Sequence, residues 1–186
     1  MAFAGLNDAE RAWDLLAMIN PINHGNSPQA VAVYRAEPYV VAADVYAVAP
    51  HTGRGGWTWY TGSAGWMYRL IVESLLGVRR EAQRLTFAPR LPATWPSCAI
   101  QYRYGETTYR IGIRQALEAA TVMSVVVDGV AQSERSVLLV DDHQDHVVEV
   151  EVPPTHAATP QHSEDGRPRP VGQRGATEGI VASTDP

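Results

Sequence analysis

The chain has 186 residues and a mass of 20.3 kDa, a size that suits one ordinary domain or a small domain with an appendage. Apolar residues make up 45% and charged residues 19%, which is globular, and a net charge of −5 argues against a general nucleic-acid binder. The single cysteine, Cys98, excludes an intrachain disulfide and a Cys-rich zinc site. No apolar run approaches the roughly 18–20 residues of a membrane span, and no basic segment followed by an apolar one opens the chain, so no signal peptide is read. All 15 cationic side chains are Arg, which reads as a compositional habit and not as a site.

Residues 1–95 hold all five Trp and read as helices joined by Gly-rich loops. The opening Met1–Leu6 reads as the end of a helix. Asn7 with Glu10 three residues later has the pattern of a capping box and predicts a helix from about Asp8 to Ile19. Asn20-Pro21 stops it. Glu37-Pro38 predicts a second helix, since Pro fits a first helical turn, running to about Val48 and ended by Pro50. A third is predicted from Thr61-Gly62 to Leu76, with Gly77 as its C-cap and Trp66, Leu70 and residues 72–76 as an apolar face.

Residues 96–152 are rich in Val, Ile, Tyr and Thr at alternating positions, the period of strands. Ala99–Tyr104 and Thr107–Arg114 flank a turn at Gly105-Glu106. Thr121–Val127 and the segment from Ala131 flank Asp128-Gly129, a strong hairpin signal. Ser136–Val140 and His146–Val152 flank Asp141-Asp142. Six short strands at this spacing suggest a sandwich or jelly roll, with Leu85–Ala88 as one strand more. Residues 153–186 lack aromatics, hold six of the 13 prolines, and read as a disordered tail.

The expected organisation is α+β: a helical part over 1–83, a β-sandwich over 84–152 and a tail over 153–186. The helices are joined by connections of 12–18 residues by this reading, whereas helical bundles ordinarily use about 2–8. Long loops carrying Trp, His and Gly are typical of loops that line a site. The simplest expectation is that these helices belong to a larger helical domain, with Met1 an internal or truncated start.

The loop from His51 to Trp66 carries the chemistry. Thr61, Gly62 and Ser63 stand where a Gly-rich loop becomes a helix. The first N–H groups of a helix lack internal partners and carry the positive end of its dipole. Gly62 lets a ligand come close to the backbone, and the Thr61 hydroxyl adds a donor, so the segment suits a phosphate or another anion. Trp57, Trp59 and Tyr60 offer flat faces suited to sugar rings. An ordinary helix cap with core aromatics would use the same residues.

The segments Ala36-Glu37-Pro38-Tyr39-Val40, Trp57-Thr58-Trp59-Tyr60-Thr61-Gly62-Ser63-Ala64-Gly65-Trp66 and Leu76-Gly77-Val78 resemble glycoside hydrolase family 94, most closely the C-terminal region of its cyclic β-1,2-glucan synthases and β-glucan phosphorylases. Ala12-Trp13, residues 18–25, Leu85–Pro89, Leu91-Pro92 and Trp95-Pro96 add to the likeness. It is strong over about 1–115, weak to 152 and absent in the tail.

The resemblance implies the last helices of an α/α six-hairpin barrel followed by a C-terminal jelly roll. It implies inverting cleavage of β-glucosidic bonds, in which an Asp protonates the leaving oxygen and inorganic phosphate attacks the opposite face. The Thr-Gly pair of the family's Trp-x-Thr-Gly motif binds phosphate, a role that falls here on Thr61 and Gly62. No Asp of this chain stands in the context of the general acid: Asp8 and Asp14 flank a helix start and Asp44 is expected within a helix. The chain alone is therefore expected to be inactive. Phosphate is the expected co-substrate, with no organic cofactor and no metal, and a β-glucan oligosaccharide and the rest of the parent enzyme are the expected partners. Family synthases are anchored in the inner membrane, and this part of them would lie on the cytoplasmic side.

Glu37 could contact a sugar hydroxyl or phosphate-bound water, or serve only helix-start electrostatics. His51 and Arg54 could meet an anion or sit on a solvated loop. His24-Gly25-Asn26 reads as a turn that could border the cleft. His143 and His146 lie among Asp141, Asp142 and Asp145, but the spacing fits no zinc or calcium loop, and a polar hairpin tip is the reading. Cys98 reads as a small buried hydrophobe. Two other functions stay open on sequence: a non-catalytic carbohydrate-binding β-sandwich with a helical adaptor, and an inactive remnant.

Overall fold

The computed structural model describes residues 1–59, 61–117 and 120–154. The fold is α+β in two compact units, Met1–Val78 and Arg79–Pro186. The expected disordered tail, 153–186, lies outside the described residues apart from Pro153 and Pro154.

The first unit opens with α1 (Ala2–Gly5) and α2 (Ala9–Ile19). Asp8 caps α2, its carboxylate accepting from the Arg11 N–H at 3.2 Å. Asn7, the expected cap, instead turns the chain at φ 64°, a conformation Asn tolerates better than most residues. The loop expected after Asn20-Pro21 contains two further helices, α3 (Pro21–His24) and α4 (Pro28–Tyr34). In each, a polar residue before proline supplies the cap: Asn20 accepts from the Ile22 N–H at 3.2 Å and Ser27 from Ala30 at 3.1 Å. The signal that stops one helix thus starts the next.

The helix expected from Glu37 to Val48 is not formed. Val40 N–H closes a single turn on Glu37 O at 3.1 Å. The chain then enters β1 (Asp44–Val45), antiparallel to β2 (Gly55–Gly56), so Asp44 sits on a strand and not in a helix. Pro38 is as compatible with a turn as with a helix start, and the Val- and Tyr-rich run after it favours extended backbone. Both glycines of β2 are buried. A Cβ at Gly55 would come within 3.1 Å of the Tyr34 ring, and one at Gly56 within 2.8 Å of the Asp44 carboxylate.

The third helix begins where expected, as α5 (Thr61–Arg69), but from Leu70 to Leu75 it widens into a π-helical stretch. Leu76 N–H bonds Ile71 O at 2.8 Å, and Gly77 follows at φ 66°. Ala4, Ala12, Leu16 and Leu75 form the buried core of this unit, with Trp13 and Met67 packed against it.

The second unit holds two sheets. One has the order β3-β4-β9, from β3 (Val78–Glu81), β4 (Arg84–Phe87) and β9 (Ser136–Leu138). The other has the order β5-β6-β10-β7-β8, from β5 (Ser97–Tyr104), β6 (Thr107–Gln115), β7 (Ser124–Val127), β8 (Val130–Ala131) and β10 (Asp145–Val152). The expected turns at Gly105-Glu106 and Asp128-Gly129 join β5 to β6 and β7 to β8, both antiparallel pairs. The segments flanking Asp141-Asp142 do not pair with each other. β9 pairs with β4, and β10 runs parallel to β6, with Thr108 opposite Asp145. Alternation places Tyr109, Ile111 and Ile113 of β6 and Val148, Val150 and Val152 of β10 in the core.

Candidate functional site

The hairpin between α4 and α5 builds the site. Tyr46 N–H bonds Arg54 O at 2.9 Å, Gly53 N–H bonds Tyr46 O at 2.8 Å, and Ala43 N–H bonds Trp57 O at 3.0 Å. These bonds fold residues 43–57 back so that Trp57, Thr58 and Trp59 lie beside the Glu37 turn. The Trp59 indole Nε1–H donates to Glu37 Oε1 at 3.1 Å, and the Tyr39 ring meets Trp59 edge-on, centroids 6.2 Å apart. The Glu37 backbone N–H, the Trp59 indole and the Thr58 hydroxyl hold the Glu37 carboxyl below the usual range, against a smaller opposing effect of burial.

Trp57 and Trp59 take left-handed backbone, at φ 50° and 67°, and remain 69% and 67% exposed. Bulky residues adopt this conformation only when their surroundings impose it. Thr61 and Gly62 open α5 two residues later. A Cβ built on Gly62 meets nothing within 4 Å, so the space above this helix start is open. Tyr60 lies outside the described residues.

An open cavity of about 750 Å³ lies between the end of α4 and the strand leading to Trp57. Glu37, Arg54 and Trp57 line it, as do Arg35 and Tyr46, which sequence reasoning did not single out. Reading Ser27-Pro28 as a helix start would have placed Arg35 at that helix's C-terminus, facing the loop. His51 stands against Tyr46, ring centroids 6.0 Å apart. His24 is occupied elsewhere: it stacks on Tyr34 at 4.3 Å, and its Nε2 lies 2.7 Å from Met18 O.

In the second unit His146 joins two turns, Nδ1 lying 2.6 Å from Asp128 Oδ2 and Nε2 3.2 Å from Asp142. Its ring stacks on Tyr109 at 5.0 Å. Asp145 pairs instead with Arg110 at 2.7 Å. Burial pushes the Cys98 thiol up to about 11, leaving little thiolate at neutral pH.

Residues 1–77, which contain this whole hairpin and the start of α5, match the model of the Glycosyl hydrolase 94 superfamily, catalytic domain. That segment belongs to the glycosyl hydrolase 94 superfamily. The chain is 47% identical over 126 residues to the cyclic β-(1,2)-glucan synthase NdvB of Rhizobium meliloti (strain 1021), an alignment covering 67% of this chain and 4% of the synthase. It is 31% identical over 125 residues to the 3-O-β-D-glucopyranosyl-β-D-glucuronide phosphorylase of Paenibacillus borealis, covering 64% of the chain and 16% of that enzyme. With the 1,2-β-oligoglucan phosphorylase of Listeria innocua serovar 6a it shares 30% identity over 105 residues, 49% of the chain and 10% of the relative. The chain thus spans a small part of the length of each of these relatives. Among the described residues no helix is long and apolar enough to cross a membrane.

Proposed function

We propose that this chain works as part of a carbohydrate-active enzyme of the glycosyltransferase or phosphorylase type acting on β-1,2-glucans. Its contribution is the phosphate cradle at Thr61-Gly62. The observation that carries this reading is the helix start at Thr61-Gly62, open above Gly62, set in a segment that matches the family's catalytic domain. The first N–H groups of a helix have no partner within it and carry the positive end of its dipole, which favours an anion at such a start. Inorganic phosphate is the co-substrate, and no organic cofactor is needed. Held there, it would be aligned for attack on the anomeric carbon while a general acid from elsewhere in the enzyme protonates the leaving oxygen.

In this reading residues 1–83 are the last helices of an α/α barrel and 84–152 a jelly-roll-like sandwich, working on the cytoplasmic side. Exposed Leu15, Met18, Ile19 and Ile22 on α2 and α3 suit faces that further helices of such a barrel would cover. The test is a chimera. Residues 1–152 replace the matching segment of a 1,2-β-oligoglucan phosphorylase, and phosphate-dependent release of glucose 1-phosphate is measured. Retained release supports the reading. A folded chimera that binds glucan but ignores phosphate rejects it. The unfused chain is expected to release none, since a general acid contributes on the order of 10²–10⁴ in rate.

A further inference from the structure

Tyr34 ends α4, and only 2% of it is exposed. Its ring stacks on His24 at the end of α3, centroids 4.3 Å apart and planes 10° from parallel. His24 is itself held, its Nε2 lying 2.7 Å from Met18 O on α2. The hydroxyl end of the Tyr34 ring lies against β2: a Cβ on Gly55 would come within 3.1 Å of both Cε2 and Cζ. The hydroxyl oxygen accepts from the Ala42 N–H, two residues ahead of β1. Burial pushes this phenol above its ordinary range, against the opposing effect of that hydrogen bond, so it stays neutral. One side chain thus touches α3 and both arms of the hairpin. The hairpin needs such an anchor, because β1 and β2 pair over only two residues each, and a short two-stranded ladder is marginal by itself. From Gly56 the chain runs through Trp57 and Trp59 into the helix start at Thr61, so the seat of β2 governs where that start stands.

We propose that Tyr34 is a positioning residue: it seats the β1–β2 hairpin against α3 and α4, and through the hairpin it places the helix start at Thr61-Gly62. It contacts no ligand itself. Two parts of the side chain do separate work. The ring fills the space that Gly55 leaves bare, and a Cβ at Gly55 would force ring and strand apart by a few tenths of an ångström. The hydroxyl meets an N–H that lies outside the two-residue ladder. A phenylalanine would keep the first and lose the second. Phosphate as the ligand at that start rests on the proposed function; the seating of the hairpin rests on the contacts of Tyr34.

The test strikes this contact from either side, with Tyr34→Phe and Gly55→Ala, and reads each variant twice. In the full chain, amide hydrogen exchange is followed at Ala43, Tyr46 and Gly53, whose N–H groups bond Trp57 O, Arg54 O and Tyr46 O. All three should accelerate together in both variants, by about two- to tenfold for Tyr34→Phe, the weight of one neutral hydrogen bond, while Leu16 in the core of α2 keeps its rate. In the phosphorylase chimera, both variants should raise the half-saturating phosphate concentration by a similar factor. A residue that merely stabilised the unit would reduce the active fraction, and so the maximal rate, and leave half-saturating phosphate where it was. That result, or equal acceleration at Leu16 and the hairpin amides, overturns the proposal. A wild-type chimera that ignores phosphate rejects the phosphate reading alone; the concerted exchange of the three hairpin amides then decides whether Tyr34 seats the hairpin.

Discussion

Glu37 and Trp59, 22 residues apart, are joined by a 3.1 Å hydrogen bond from the indole to the carboxylate. This contact ties the turn after α4 to the residues that lead into α5. Glu37→Gln keeps an acceptor for the indole and should hold the loop; Glu37→Ala removes it. Hydrogen exchange at the Trp59 indole should accelerate clearly in the alanine variant and little in the glutamine variant. The wild-type contact should be at full strength above the ordinary carboxylate range and fade as pH falls through the lowered value of Glu37. Equal exchange in both variants would mean that the carboxylate does not hold the loop.

A valine at Gly62 tests the helix start. Its Cβ meets no atom within 4 Å, so the fold should be spared. Its branched side chain would stand where an anion approaches the backbone. In an active chimera, Gly62→Val should raise the phosphate concentration needed for half-maximal rate by at least about tenfold, with a smaller effect on glucan. A change confined to glucan affinity would make this segment a sugar-contact loop.

His146 gives the second unit a pH dependence. The hydrogen bond with Asp128 raises its pKa, burial works against the rise, and Asp142 adds to it. The folded value therefore lies above the ordinary imidazole value of about 6.5. The protonated form is favoured by folding, so its contribution is fully present below about 6.5 and is lost as pH rises through the raised value. Unfolding of the wild type by urea should show that loss on the alkaline side, and His146→Gln should flatten it. An unchanged profile in the variant would assign the dependence to other groups.

Thr107 is fully buried, and its hydroxyl oxygen accepts from the Asp142 and His143 N–H groups, both at 2.8 Å. The hydroxyl proton goes to Asp142 Oδ1 at 3.1 Å. Thr107→Val keeps the shape and leaves two donors unmet, at a cost of roughly 2–3 kcal/mol. Thr107→Ser should recover most of this. A valine variant as stable as wild type in urea denaturation would show that water reaches those N–H groups.

The parts legible in the sequence were those set by local chemistry. Asp128-Gly129 and Gly105-Glu106 specify hairpins within a few residues, and both hairpins form. The run from Ala9 to Ile19 announces its helix by period and ends at Asn20-Pro21. The failures came where one local signal serves two structures. Glu37-Pro38 fits a helix start or a turn, and the choice was made by Gly55-Gly56, about 18 residues on, whose bare backbone admits Asp44 and Tyr34 at close range. Thr61-Gly62 could be read as a helix start from the glycines before it. Arg35 and Tyr46 could not be joined to Arg54 and Trp57, because only the fold-back of residues 43–57 brings them to one cavity.

The placement of β10 between β6 and β7 bears on how the second unit is made. Every neighbour of β10 in that sheet is synthesised before it, yet none can complete its ladder until it arrives. On the ribosome, the inner edge of β6, with Ile111 and Ile113, waits through the 29 residues between Gln115 and Asp145 for the strand that completes it. An apolar strand edge left open for that interval is a template for pairing with another chain. Stalling or cleavage ahead of Asp145 would therefore leave a nascent chain with an unguarded β6 edge, a substrate for chaperones or for aggregation, whereas passage beyond Val152 closes both edges at once.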